Sequence, residues 1–151
     1  VDYIFSLFQE VSTYQNIFPT AVVGNYDDED ILLVHEKACN ILQPWFEKER
    51  NKNREKYNEQ SDKIISGMKE LHQAAIAGSI ETLFVERGNY VWGKTEPENG
   101  KIEINQSKKP LDNCLLDALA RQTFLKGGTV FLEKAEKMPG QDSPANAILR
   151  Y

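Results

Sequence analysis

From residue 61 onward the apolar side chains alternate between two spacings, and this alternation constrains the fold more than any other feature. Spacings of three and four residues, typical of a helix with one buried face, occur over 61–79 and 110–128. Short β-branched and aromatic runs, typical of strands, lie between and after these segments. The predicted order is helix, strand, strand, strand, helix, strand, loop and strand. This order indicates an α/β domain in which helices sandwich a small mixed β-sheet.

The boundaries of these elements are predicted from capping and turn residues. The candidate N-caps are Ser61 or Asp62 for the first helix and Asp112 or Asn113 for the second. The segment "ETLFVERGNYVWGKT" (81–95) predicts two strands joined by a turn.

The first 60 residues predict a short helix with Ile4, Leu7, Phe8 and Val11 on one side, and a long helix after residue 30. The acidic "DDED" at 27–30 precedes the helical run, where carboxylates act as caps more readily than as a catalytic acid and base. The apolar face of this helix stops near Phe46, and mixed charges over 47–63 predict a solvent-exposed half that bridges two bodies. "PTAVVGN" (19–25) predicts an edge strand. The abrupt apolar start "VDYIFSLF" indicates the interior of a longer polypeptide.

Composition limits the classes of partner and compartment. A net charge of −5 argues against a broad basic face for nucleic acid, so any RNA contact is expected to be local. No apolar run approaches the ~18 residues of a membrane span, and no membrane partner is predicted. The two cysteines, Cys39 and Cys114, lie in helical patterns without a C-x-x-C pair, which favours a reducing cytoplasm.

The side chains that carry enzyme chemistry do not form a recognisable motif. His35 and Cys39 share a helix face, but His72 and Cys114 lack the spacing to complete a zinc site with them. The sequence contains no G-x-S-x-G nucleophile motif and no phosphate-binding loop. We therefore assign no catalytic residue, metal or cofactor.

Two glycine segments near the C-terminus are predicted to turn the chain. Gly127-Gly128 falls where a helix must give way to the strand "TVFL". Pro139-Gly140-Gln141 falls between two strands, where a turn is favoured and a recognition loop is the alternative.

Several segments together resemble a known family. They are "AAIAGSIETLFVERGNYVWGK" (74–94), "LLDALARQTFLKGGTVFLEKAEKMPG" (115–140) and the terminal "AILRY". These resemble the C-terminal domain of bacterial relatives of the archaeo-eukaryotic peptide-chain release factors. "VDYIFSLFQEV", "FPTAVVGN" and "VHEKACNILQPWFEKER" look like the end of that family's middle domain and the helix that leaves it.

The resemblance implies two domains: a remnant of a middle domain with the start of a connecting helix over 1–46, and a release-factor C-terminal-like α/β domain over 47–151. It also implies the fold of pelota-type rescue proteins and kink-turn RNA-binding ribosomal proteins. Release factors hydrolyse peptidyl-tRNA through a Gly-Gly-Gln loop in their middle domain, and this chain has no Gly-Gly-Gln. The Gly-x-Asn-Glu signature of kink-turn binders is missing as well.

The function that follows is a non-catalytic, ribosome-associated or RNA-binding interaction module that contacts the ribosome, tRNA or a translation-related protein partner. The candidate contact residues are Lys108, Lys109, Arg121 and Lys126. One alternative is a fragment of a peptidyl-tRNA or other ester hydrolase whose catalytic loop lies upstream of residue 1. Another is a homo-oligomer that pairs through the edge "AILRY" or "PTAVVGN".

Overall fold

A computed structural model of the chain describes residues 2–14, 17–96, 99–140 and 142–151. The chain divides into two compact units, Val1–Glu49 and Arg50–Tyr151. The helices are α1 (Asp2–Val11), α2 (Ile31–Glu59), α3 (Met68–Ala77) and α4 (Leu115–Leu125), with 3-10 turns at Ser61–Lys63 and Ala135–Lys137. The strands are β1 (Ile64–Ile65), β2 (Ile80–Glu86), β3 (Trp92–Thr95), β4 (Ile102–Asn105), β5 (Asn113–Cys114), β6 (Thr129–Glu133) and β7 (Ala145–Leu149).

The second unit contains a four-stranded mixed sheet in the order β1-β7-β2-β6. Strands β2 and β6 run parallel, and α4 lies in the connection that reaches β6, as a parallel crossover requires. Strand β7 pairs antiparallel with both β1 and β2. The predicted α/β class and mixed sheet are therefore confirmed.

Both faces of this sheet are covered by helices. On one face, Leu83 of β2 packs with Leu71 of α3 and Leu119 of α4, and all three side chains are fully buried. On the other face, Phe84 of β2 packs with Tyr57 of α2, with ring centroids 6.0 Å apart. Alternate residues of one strand thus serve two hydrophobic cores, because successive strand side chains point to opposite faces.

The charged half of α2 is less exposed to solvent than its sequence predicts, because several of its side chains contact the sheet. Asn53 accepts a hydrogen bond from the Thr82 hydroxyl at 3.1 Å, and Lys56 forms an ion pair with Glu81. Arg54 lies beside the buried carboxylate of Glu133, with 3.6 Å from its Nε to Oε1. The mixed charges of this segment therefore hold the helix against the sheet through specific polar contacts.

In the first unit the predicted short helix is present as α1, the predicted cap is confirmed, and the predicted strand is wrong. Asp30 caps α2, since its Oδ1 accepts a hydrogen bond from the backbone N–H of Leu32 at 2.9 Å. The strand predicted at 19–25 is wrong, because these residues form bends and irregular backbone. No strand occurs among the described residues of this unit, so the segment has no ladder partner there.

Two helix boundaries and one sheet assignment in the second unit also differ from prediction. Neither Ser61 nor Asp62 caps a helix, because residues 64–65 pair with β7 and α3 begins only after Gly67. Cys114 is the N-cap of α4, and Asn113 pairs with β3 instead. The two strands predicted within 81–95 both exist, but β2 and β3 belong to different sheets.

The glycine segments turn the chain as predicted. Gly127 has φ 76°, and a side chain on Gly128 would meet the Ile80 carbonyl oxygen at 2.9 Å. Gly140 has φ 75°, and a side chain there would lie 2.7 Å from the Tyr57 hydroxyl. Both segments thus combine positive φ with close packing, while Gln141 lies outside the described residues.

Candidate functional site: an aromatic and basic platform

The three-stranded sheet β4-β3-β5 presents two aromatic side chains on its outer face. A side chain on Gly93 would collide with the Glu103 carbonyl and the Leu115 side chain, so this position faces α4. Trp92 precedes it on β3 and therefore points to the opposite side. The Tyr90 ring stacks on Trp92, with centroids 5.7 Å apart and planes at 5°. Tyr90 is 64% exposed, so one end of this stack is open to solvent.

The loop after β4 brings positive charge to the same face. The Lys108 Nζ lies 4.5 Å from the centroid of the Trp92 ring, within the range of a cation–π interaction. The Lys109 Nζ donates a hydrogen bond to Asn105 Oδ1 at 2.7 Å. We call Tyr90, Trp92, Lys108 and Lys109 the platform.

A buried carboxylate holds this loop in place. Asp112 is 8% exposed and accepts hydrogen bonds from the Lys109 backbone N–H and from Asn105 Nδ2, both at 2.9 Å. Leu111, immediately before it, has φ 70° and is 87% exposed, a conformation that costs a non-glycine residue roughly 1–3 kcal/mol. The contacts of Asp112 offset this strain and fix the two lysines relative to the rings.

A cavity of about 180 Å³ adjoins the platform at Tyr90, which is one of its lining residues. It lies where β2 ends, and its polar wall includes Arg87 and Asn89 together with the carboxylates of Glu86 and Asp117. In α/β sheets, crevices outside the carboxyl ends of strands are common ligand sites. The cavity beside Tyr90 therefore offers both donors and acceptors.

The structure places the four predicted contact residues in two pairs. Lys108 and Lys109 belong to the platform, whereas Arg121 and Lys126 lie on or just after α4. Arg121 lines a separate cavity, and the backbone carbonyl of Lys126 accepts a hydrogen bond from Arg150 at 3.0 Å. Within the part of the chain that the structure describes, no hydrogen bond, ion pair or ring contact joins the two pairs.

Sequence reasoning missed the aromatic half of the platform. The signal was the spacing of two between Tyr90 and Trp92, which places both rings on one face of an extended segment. The spacing alone does not show which face of β3 is exposed, whereas the close contacts at Gly93 show that its own face is covered.

The soft ligands noted in the sequence do not converge. His35 and Cys39 touch on α2, with 3.5 Å between Nε2 and Sγ. Among the described residues, no group of three or more His, Cys, Asp or Glu side chains is arranged to hold a metal ion. No helix within those residues is both long and apolar enough to span a bilayer.

The fold defines a structural class: the second unit is an α/β sandwich like the C-terminal domain of a peptide chain release factor. Residues 1–79, just over half of the chain, match the model of Bacterial archaeo-eukaryotic release factor family 3. The chain belongs to this family. No curated protein sequence matches it significantly.

A solved structure supports the fold, and two further ones are more distantly similar. The C-terminal domain of a peptide chain release factor from Methanosarcina mazei matches with a TM-score of 0.60 and 16% identity, over 84% of this chain and 98% of that one. Pelota from Archaeoglobus fulgidus matches at 0.48 and 18% identity, over 99% of this chain and 45% of Pelota. The translation termination-like factor Dom34 from S. cerevisiae matches at 0.40 and 15% identity, over 82% of this chain and 31% of Dom34. The chain thus spans less than half the length of the last two.

Proposed function

We propose that this chain is a non-catalytic interaction module of a release-factor-like protein, and that its platform binds RNA of the translation machinery, on the ribosome or in tRNA. Family membership supports a role in translation, and the stacked pair Tyr90 and Trp92 with Lys108 is the observation that carries the RNA contact. In this proposal residues 1–46 are the end of a middle domain with the start of the connecting helix, and residues 47–151 form the interaction domain.

The chemistry of the platform fits unpaired nucleotides. Proteins that bind single-stranded nucleic acid combine aromatic rings, on which bases stack, with lysines or arginines that meet the phosphates. Tyr90 offers an exposed ring for a base, and Lys108 lies over the Trp92 ring on which Tyr90 stacks, in a loop held by Asp112. Since the rings and the loop are already positioned, binding costs little side-chain ordering.

The charge of the protein is consistent with such a confined contact. A net charge of −5 disfavours broad binding to a duplex backbone. Two lysines allow about two phosphate contacts, which predicts a slope of about −1.4 for log K against log salt on a single strand. A strongly salt-dependent duplex binder would show a slope several times steeper.

The test is retention of purified ribosomes, tRNA and a short unstructured RNA by the full chain at 50 and 200 mM salt. Trp92→Ala and Tyr90→Ala are each expected to weaken binding by about 1–3 kcal/mol, which is roughly 5-fold to 150-fold. Lys108→Glu should weaken binding most at low salt. Trp45→Ala is the matched control, because Trp45 is 48% exposed but lies in the first unit, outside the platform.

Equal losses for Trp92→Ala and Trp45→Ala would refute the role of the platform. If the chain retains neither ribosomes, tRNA nor the short RNA at either salt concentration, the RNA contact is refuted. A protein partner would then be the remaining candidate. The hydrolase alternative has no support from the family match or from the fold likeness, and a peptidyl-tRNA hydrolysis assay on the same preparation tests it directly.

A further inference from the structure

A second cavity, distinct from the platform, lies between α3, α4 and β3. Its volume is about 230 Å³, and it is lined by His72, Ile76, Thr95, Ala118, Arg121, Gln122 and Leu125. Thr95 lies two residues after Gly93 and so faces the α4 side of β3, while the platform occupies the other side. Occupants of the two sites would therefore meet different faces of the same strand.

The cavity contains a buried polar group that the fold leaves unsatisfied. His72 is only 4% exposed, and its Nε2 has no hydrogen-bond partner among the described residues. A buried polar atom without a partner costs about 1–3 kcal/mol, which a bound group of the right polarity would recover.

The state of the ring defines that polarity. Burial lowers the pKa of the His72 imidazole below its ordinary 6.5, and the nearby Leu115 backbone opposes only part of this shift. The ring is thus neutral near pH 7, with one nitrogen protonated and the other carrying a lone pair. A hydroxyl both donates and accepts a hydrogen bond, so it can pair with Nε2 in either tautomer.

The other end of the cavity selects charge. Arg121 is exposed and is the one permanently charged side chain among the described lining residues. A single guanidinium matches one carboxylate, which it binds with two parallel N–H donors. The aliphatic walls, Ile76, Ala118 and Leu125, suit an apolar body between the two polar ends.

The volume limits the size of the occupant. At ~30 Å³ of liquid volume per water, the cavity corresponds to about eight water molecules. A molecule with about eight to ten non-hydrogen atoms displaces a similar amount of water, whereas a nucleotide is far too large.

We propose that this cavity binds a small organic monocarboxylate that carries one hydroxyl, with the hydroxyl on His72 Nε2 and the carboxylate on Arg121. Thr95 and Gln122 supply further hydrogen bonds to the polar ends. This site takes a free small molecule and does not depend on the RNA contact of the platform.

The test uses 4-hydroxybenzoate and 6-hydroxyhexanoate as probes of the full chain at pH 7.5, each beside its analogue without the hydroxyl, benzoate or hexanoate. Binding is followed by titration calorimetry and by the ¹⁵N shift of His72 Nε2, which reports directly on a new hydrogen bond. At least one hydroxylated probe is expected to bind one-to-one, at least tenfold more tightly than its analogue, and to move the Nε2 resonance.

Variants separate this site from adventitious binding. Arg121→Glu should lower the affinity for the hydroxylated probe at least tenfold, and Ala118→Leu should abolish binding by filling the cavity. The matched controls Lys137→Glu and Ala77→Leu change exposed residues outside the lining and should leave binding unchanged. Ala118→Leu is interpreted only if it unfolds cooperatively, and Arg121→Glu, at an exposed position, provides the independent result.

Two outcomes would overturn the proposal. One is that neither hydroxylated probe binds at 10 mM, and the other is that binding survives Arg121→Glu at full strength. Neither outcome bears on RNA retention by the platform, so the two proposals fail separately.

Discussion

The buried carboxylate of Glu133 gives the sharpest prediction about stability. Glu133 ends β6, is 2% exposed, and its Oε1 lies 3.4 Å from Arg50 Nε and 3.6 Å from Arg54 Nε. Removing one member of a buried ion pair typically costs about 3–5 kcal/mol, because the remaining charge stays desolvated. Glu133→Leu should therefore destabilise the second unit by about that amount.

A double-mutant cycle separates the ion pair from ordinary packing. Arg54→Met alone should destabilise, while Arg54→Met combined with Glu133→Leu should cost less than the sum of the two, since apolar side chains of similar size remove both charges together. We expect a coupling of at least about 1 kcal/mol. Glu136→Leu, at an exposed position in the adjacent 3-10 turn, is the matched control and should stay within about 0.5 kcal/mol.

The assay is urea unfolding followed by tryptophan fluorescence. The chain has two tryptophans, and a Trp45→Phe background leaves Trp92 as the reporter of the second unit. With a slope of about 2 kcal/mol per molar urea, a loss of about 4 kcal/mol lowers the midpoint by about 2 M. A loss below about 1 kcal/mol for Glu133→Leu, or additive single effects, would show that these arginines do not depend on the carboxylate.

Three further changes have defined outcomes. Gly93→Ala should cost more than about 3 kcal/mol or prevent folding, because the new methyl group meets backbone, whereas Gly88→Ala, with open space but positive φ, should cost only about 1 kcal/mol; thermal unfolding compares the two. The pKa of His72 is lowered on folding, so its contribution to stability is complete above pH 6.5 and is lost as the pH falls below that value. Urea unfolding between pH 7.5 and 5.5 should therefore show a free energy of unfolding that falls with pH, and His72→Gln should reduce this dependence. Asn146→Ala should cost about 1–3 kcal/mol by urea unfolding, since its buried amide donates to the Gly140 carbonyl at 3.0 Å.

The order of long elements could be predicted from sequence because their periodicity is local. Helix α3 and strands β2, β4, β6 and β7 each carry a repeated spacing that survives without tertiary information. The two-residue strands β1 and β5 have no period to detect, and they exist only through pairing with β7 and β3. The assignment of β2 and β3 to separate sheets is also non-local, because the sequence of a strand does not determine which strand it pairs with.

The docking of α2 was missed for a related reason. Its charged half resembles a solvated helix because the acid that Arg50 and Arg54 meet, Glu133, is about 80 residues away in sequence. The lysines of the platform could be predicted from their charge, but the aromatic stack beside them depends on which face of β3 is covered. In both clusters the sequence therefore indicated the basic residues, and only the tertiary structure showed what they contact.

Strand β3 links the stability of the domain to both proposed sites. Gly93 lets β3 approach β4 and α4 so closely that no side chain fits between them, and this contact directs Trp92 outward and Thr95 inward. Rings mounted on a strand fixed in this way lose little conformational freedom when they bind, which favours stacking. The absence of a side chain at one inward position thus determines the geometry of an exposed aromatic surface on the opposite face.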